Sequence, residues 1–335
     1  MSEEVACIRE NNRFLLKLNR RLHRDEINDV RRTVTNCMTK ENVSEIARKL
    51  KTRAPITAKE LGQLKNALMD DPHNIQVVLS VHGALRGLIR ELTGANVKKQ
   101  CAAAGCICNL ALGDTKACTI ISKAAGTYLV AAVDNLVTEL AVTCVWTLGN
   151  LAASRKKVCN ILTSQGALSK VMELHTNEEL QDACLYALKH FVYQLGDELK
   201  PEHLQATLNT LSKLQLNVET SEALFILSCH SDFPDLITEE LLLKLLEDFI
   251  RCMEHHLCTR REQELVYVTR TLANSNVCGY ILNYPNVKHV CELCKKVLSV
   301  DNVVVNKSIM WLLGNIYKAC GESYRLLVLD VTVVV

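Results

Sequence analysis

The sequence is short of aromatic residues: they make up 4% of its 335 positions, with two tryptophans, eight tyrosines and five phenylalanines. Glycine occurs 13 times and proline 5 times. So few chain breakers, with few β-branched or aromatic runs, argue against a large β-sandwich and against a glycine-rich dinucleotide-binding sheet. Helices joined by short turns remain. Long hydrophobic runs are missing as well, since no stretch approaches the roughly 18 apolar residues that a membrane helix needs. The first 21 residues mix Glu3, Glu4, Arg9, Glu10 and Arg13 with no apolar run, so no signal peptide is expected there. The sixteen cysteines are then expected to stay reduced, in the cytoplasm or nucleus. Cys101, Cys106, Cys108, Cys144 and Cys184 fall on apolar helix faces, where a thiol acts as a small hydrophobe.

Recognisable catalytic patterns are absent too. No phosphate-binding glycine loop, nucleophile elbow or His-Glu-x-x-His occurs, and no enzyme or cofactor is expected. Cys291-Glu292-Leu293-Cys294 follows a looser cluster of Cys252, His255, His256 and Cys258. Zinc sites want paired motifs at regular separation, and both groups fall in helical patterns, so they read as core and no metal is expected. The net charge is +2, unevenly spread: residues 1–53 hold thirteen Lys/Arg against eight Asp/Glu, and the remainder is slightly acidic. A near-neutral body without a long basic stripe argues against nucleic acid as a partner. The basic head suits either an acidic partner or an ordinary solvated amphipathic segment.

What is present is a repeat. Both tryptophans stand in the same pentapeptide, Trp146-Thr147-Leu148-Gly149-Asn150 and Trp311-Leu312-Leu313-Gly314-Asn315, 165 residues apart. That is close to four periods of 41, and the intermediate phases are occupied. Gly105 to Asn109 precedes the first copy by 41. Tyr186 to His190, Phe225 to Cys229 and Arg270 to Asn274 follow at steps of 40, 39 and 45, and Asn315 comes 41 later. A second marker runs alongside: Gly83 and Gly166 are 83 apart with Gly126 between them, each suiting a sharp turn between a short and a longer helix. A period near 41 with glycine-marked helix turns falls in the armadillo/HEAT class. Stacked units share one core, which accounts for the small residues Ala102 to Ala104 and Ala141 at close helix contacts. The predicted fold is an all-α armadillo-repeat solenoid, a right-handed superhelix of about seven repeats. The boundaries drawn are a basic head at 1–53, repeats at 54–325 and a short apolar tail at 326–335.

Trp146 and Asn150 are four residues apart, hence on one helix face, while Val145, Leu148 and Leu151 face the core. A tryptophan off the core face offers a flat wall and a π-face to the stem of a Lys or Arg, and an Asn one turn on can hold a peptide backbone. Equally, the indoles can pack between repeats and the asparagines bridge neighbouring helices.

These Trp-x-x-x-Asn helices resemble those of the importin-α (karyopherin-α) adaptors, armadillo proteins that bind nuclear localisation signals, over roughly residues 55–325. The resemblance implies a concave groove in which Trp146, Asn150, Asn109, Trp311, Asn315 and Asn274 hold a basic peptide, with Arg270 standing where that family replaces a Trp by Arg. Asp114, five residues after Asn109, would be an acidic partner for a signal lysine, or a solvated loop acid. The head would be a carrier-binding segment, through Arg20, Arg21, Arg24, Arg31 and Arg32, for an importin-β-type carrier; it would otherwise be a capping helix. Basic cargo proteins would be the other partners, with no membrane involved. The departures are Gly105 at a Trp phase, Tyr186 and His190 for one pair and Phe225 and Cys229 for the next. Such an eroded ladder suits a divergent relative, such as the transmembrane and coiled-coil domain protein 6 group, or an armadillo scaffold without a transport role.

Overall fold

Five helix starts fall where the sequence places a capping side chain. The computed structural model describes residues 38–335 other than 174–177, 260–261, 276, 321–324, 326–330 and 332–335. In chain order, α1 (Lys40–Thr52) backs α2 (Ala58–Asp70). A second unit follows with α3 (His73–Ser80), α4 (Ala84–Leu92) and α5 (Val97–Leu110). The third fuses its first two helices into α6 (Thr115–Ala132), ahead of α7 (Thr138–Ala152). The fourth holds α8 (Lys156–Ser164), α9 (Ala167–Glu173) and α10 (Gln181–Leu195). The fifth has a single 3-10 turn, Gly196–Glu198, then α11 (Pro201–Ser212) and α12 (Val218–Ser228). The sixth contains α13 (Phe233–Leu236), α14 (Glu239–Thr259) and α15 (Gln263–Ala273). The seventh contains α16 (Cys278–Leu282), α17 (Val287–Leu298) and α18 (Val303–Ala319).

The last helix of each unit packs on the last helix of the next, in the series α2, α5, α7, α10, α12, α15 and α18. These seven rungs form one continuous layer, the ladder. Behind it α1 packs on α4, α4 on α6, α6 on α8 and α9, α9 on α11, and α14 on α17. Each unit touches its sequence neighbours, which is the arrangement of a solenoid. The expected all-α armadillo architecture with about seven repeats is the one observed.

Local chemistry sets the boundaries. Thr57 and Glu60 form a reciprocal capping box at α2, and Asn96, Asp114, Asn217 and Asn302 cap α5, α6, α12 and α18 through their side chains. Each such cap satisfies backbone N–H groups that have no partner inside the helix, stabilising it by about 1 kcal/mol. Gly83 (φ 99°) and Gly166 (φ 85°) make the left-handed turns read from the sequence. Gly126 does not: it lies inside α6, whose helix runs on without a break. Its missing side chain instead leaves room for Gln165, which donates to the Ser122 carbonyl at 3.1 Å.

The apolar faces meet between the layers. Ile107, Leu110, Leu140, Leu148, Leu188, Leu224, Leu272 and Ile309 are all nearly inaccessible. The alanines expected at close contacts include Ala103, Ala104 and Ala141, all buried. Two expected boundaries take on detail. Lys40–Thr52, inside the basic head as drawn from the sequence, is helix α1 and packs against α3 and α4 as the first backing helix. Within the apolar tail, Val331 is 1% exposed and shares an apolar recess with Phe249, Val290, Leu312 and Ile316. No described helix is long and apolar enough to cross a membrane.

Candidate functional site: the ladder face

The four marker asparagines occupy one register on the ladder. Each directs its side-chain amide back to the preceding rung. Asn109 Nδ2 donates to the Lys65 carbonyl at 2.8 Å and Asn150 Nδ2 to Cys108 Sγ at 3.4 Å. Asn274 Nδ2 donates to Ser228 Oγ at 2.9 Å and Asn315 Nδ2 to the Ala273 carbonyl at 2.7 Å. These bonds span 42 to 46 residues of sequence, one period each. A buried amide left unbonded would cost about 1–3 kcal/mol, so the asparagines hold the rungs in register. Asn109 and Asn150 are buried, whereas Asn274 and Asn315 are half-buried.

The residues one turn before each marker form the neighbouring row: Gly105, Trp146, Tyr186, Phe225, Arg270 and Trp311. At Gly105 the absent side chain is replaced by the aliphatic stem of Lys65, which lies across it. Trp146 is half-buried, and the Tyr186 ring meets it at 4.3 Å with 45° between planes. The Tyr186 hydroxyl then donates to Asn150 Oδ1 at 2.8 Å, so that both ends of that amide are engaged inside the protein. His190 meets Tyr186 edge-on at 4.5 Å. Trp146, Asn150, Tyr186 and His190 therefore form one interlocked cluster across α7 and α10.

Further along, Phe225 stacks with Tyr267 at 5.9 Å, and the Arg270 guanidinium stands 5.6 Å over the Phe225 ring. Arg270 Nε donates to Ser308 Oγ at 3.1 Å on the next rung. Burial pulls the Arg270 pKa below its ordinary value, opposed by Tyr267 and Cys229. At the far end Trp311 is 43% exposed, and nothing lies within 4 Å of a side chain built on Gly314. The two Trp-x-Leu-Gly-Asn copies are thus in different states: the first closed by Tyr186, the second open.

Charge on the ladder is arranged around Lys189. This side chain is buried on α10 and donates to Glu219 at 2.8 Å and Glu222 at 2.6 Å on the α12 rung. Burial alone would lower its pKa, but the two carboxylates outweigh it and raise it above the ordinary lysine value. Asp114 lies apart from the row: it caps α6 by accepting from the Ala117 N–H at 2.8 Å and receives Gln76 Nε2 at 3.4 Å. The arginines expected to bind a carrier, Arg20, Arg21, Arg24, Arg31 and Arg32, lie outside the described residues.

Glu219, Glu222 and Ser308 stand outside the marker phases, and Lys189, though inside one, gains its role only from carboxylates on the next rung. Tyr186 and Phe225 were visible as aromatic residues at the tryptophan phase, but the hydroxyl that ties Tyr186 to Asn150 is a contact between rungs. Of the looser Cys/His cluster, Cys252 joins an ion-pair centre with residues that the cluster did not include. Asp248, Cys252 and Glu264 place their ligand atoms within 4.8 Å of one another, with Arg251 paired to both carboxylates. Burial first, and Asp248 next, push the Cys252 thiol far above the ordinary range, keeping it protonated. Cys294 of the C-x-x-C is buried and points at Met253 Sδ, 3.8 Å away.

No family model and no curated protein matches the chain. Among solved structures it is similar to an engineered protein at 17% identity, over 88% of this chain and 78% of that one, with a TM-score of 0.63. It is also similar to computationally designed armadillo-repeat proteins for modular peptide recognition, at 20% identity over 70% of this chain and 100% of that one, with a TM-score of 0.56. At such identities the likeness is one of fold. The class is therefore an armadillo-repeat solenoid.

Proposed function

We propose that the protein is a peptide-binding armadillo scaffold that receives an extended basic segment along the ladder face, in the manner of a nuclear-import adaptor. The observation that carries this reading is the common register of Asn109, Asn150, Asn274 and Asn315, which aligns the preceding row into a single track ending at the exposed Trp311. An exposed indole such as Trp311 offers a lysine stem both apolar contact and a π-face. The designed armadillo proteins of like fold were made for peptide recognition, which supports the same use of the ladder here. In this reading the chain is not an enzyme and works in the cytoplasm and nucleus. Its head, with Arg20, Arg21, Arg24, Arg31 and Arg32, recruits an importin-β-type carrier. The binding residues are Trp311 and Asn315 first, then Arg270 and Asn274, with Trp146, Asn150 and Asn109 at the other end; Asp114 contributes as a cap.

Fluorescence anisotropy with a labelled lysine-rich peptide tests the ladder. Trp311→Ala should weaken binding by about tenfold, the worth of one well-placed aromatic contact. Equal affinity in Trp311→Ala and the native chain would remove the ladder from the account. For the carrier, a pulldown with and without residues 1–35 decides: undiminished capture after deletion refutes a role for the head.

A second reading has its own support. Asn150 is engaged at both ends and Trp146 is covered by Tyr186, so the first Trp/Asn pair is built into the scaffold. A non-transport scaffold for another protein partner would leave lysine-rich peptides unbound while using the exposed Trp311 end.

A further inference from the structure

On the ladder, Arg270 is a half-buried cation with no carboxylate partner among the described residues. Among the described residues its partners are the Phe225 ring beneath it, at 5.6 Å, and Ser308 Oγ, which receives Nε at 3.1 Å. No ion pair to Arg270 occurs among those residues. Lys189, two rungs back, shows how the fold treats a buried cation when it must neutralise one: Glu219 and Glu222 both close on it. Of the two groups acting on Arg270, Tyr267 and Cys229, neither is a carboxylate, and burial raises the Tyr267 pKa to about 12. A guanidinium stripped of part of its water and given no counter-charge is costly to maintain. A partly desolvated cation without a counter-charge is a candidate binding site.

The geometry also says which part of the group is available. Nε is committed to Ser308 and the guanidinium carbon stands over the Phe225 ring, while among the described residues the two Nη groups make no hydrogen bond and form a fork. Two parallel N–H donors match the two oxygens of a carboxylate or of a phosphate monoester. Lys307, exposed one turn before Trp311 and beside Ser308, adds positive charge on the same rung. A lysine side chain brought to this position would meet like charge.

We propose that Arg270 recognises an anionic side chain of the bound peptide, so that the ligand carries an acidic or phosphorylated residue at this rung next to an apolar or basic one on Trp311. This rests on the ladder being the peptide-binding face and narrows the ligand it takes. Neighbouring helices lie ~8–10 Å apart. An extended chain advances ~3.4 Å per residue, so the anionic residue stands two or three positions from the one on Trp311.

The test uses the full chain and labelled extended peptides with one lysine and, two or three residues away, Glu, phosphoserine, Gln or Lys. The Glu peptide should bind about tenfold more tightly than the Gln peptide, as one charge-assisted pair provides. The Lys peptide should bind worst. Arg270→Gln should abolish the Glu-over-Gln preference, and Arg270→Glu should invert it in favour of Lys. Should Arg270→Gln fold poorly by circular dichroism, Arg270→Lys decides instead: it keeps the charge, loses the fork and should retain only part of the preference. Phosphoserine tighter than Glu identifies a phosphate as the natural anion, and the reverse order identifies a carboxylate; both support the proposal. If Glu and Gln peptides bind equally to the native chain while Trp311→Ala still weakens both, the anion site is refuted and the ladder stands. If no peptide binds, the ladder reading fails and this one with it.

Discussion

Gly149 and Gly314 occupy the same place in the two Trp-x-Leu-Gly-Asn copies, yet their replacement by alanine should have opposite signs. In a helix interior, alanine for glycine stabilises by about 0.5–1 kcal/mol, because the glycine backbone loses more freedom on folding. At Gly314 nothing stands within 4 Å of the added methyl group, so this gain should appear in full. At Gly149 the methyl would sit 2.7 and 2.8 Å from two Tyr186 ring carbons and 3.0 Å from the Ala187 Cα. The last of these is backbone of α10 and cannot swing aside. Overpacking of this kind costs about 1–3 kcal/mol. Displacing the Tyr186 ring also strains its bond to Asn150, worth about 1 kcal/mol. Gly149→Ala should therefore destabilise by roughly 1–3 kcal/mol net of the helix gain. Solenoids open in parts, so urea unfolding should be joined to native-state hydrogen exchange of the α7 and α18 amides. Two substitutions that both stabilise, or both destabilise to a like extent, would mean that the packing of Tyr186 on Gly149 does not discriminate the repeats.

Tyr186→Phe keeps the stacking on Trp146 but removes the donor to Asn150 Oδ1; a loss of about 1–2 kcal/mol in urea titration is expected, and no loss would show the bond to be dispensable. Lys49 first, then the Thr57 N–H and hydroxyl, lower the Glu60 pKa from its ordinary 4.5 to about 2. A depressed carboxylate stabilises the fold above its unfolded pKa, and that contribution is lost as the pH falls from about 4.5 to about 2. Native-chain and Glu60→Gln melting curves recorded across this window should converge toward the acid end, and parallel curves would contradict the assignment. Burial raises the thiols of Cys106, Cys144, Cys159, Cys184 and Cys294 to about 12. Alkylation at pH 8 followed by mass spectrometry should therefore label the exposed Cys229 and Cys258 well before these five. Early labelling of any of the five would place it at the surface.

Much of this architecture is legible along the chain. A rare residue recurring at a multiple of 41 needs no tertiary information, and the capping side chains Thr57, Asn96 and Asn302 sit beside the helices they start. Gly83 and Gly166 could be read as turns because positive φ is a local property. Gly126 could not, since whether a glycine ends a helix or makes room for Gln165 depends on a side chain from the next unit. Asp114 was one of two possibilities in the sequence, groove acid or loop acid, and its bond to the Ala117 N–H shows it capping a helix.

The sequence by itself determined the class of fold, the number of units and the helix phase of each marker, because periodicity and capping are short-range and additive. Only the tertiary structure decided what the marker residues face. Trp146 and Trp311 share one motif, but one is covered by Tyr186 and the other stands open. Arg270 was visible in the sequence at a tryptophan phase, but its lack of a carboxylate partner among the described residues shows only once Phe225 and Ser308 close around it from two other rungs. Both distinctions depend on contacts one period away in the chain, where burial and charge are set by the neighbouring repeat and not by the residue's own.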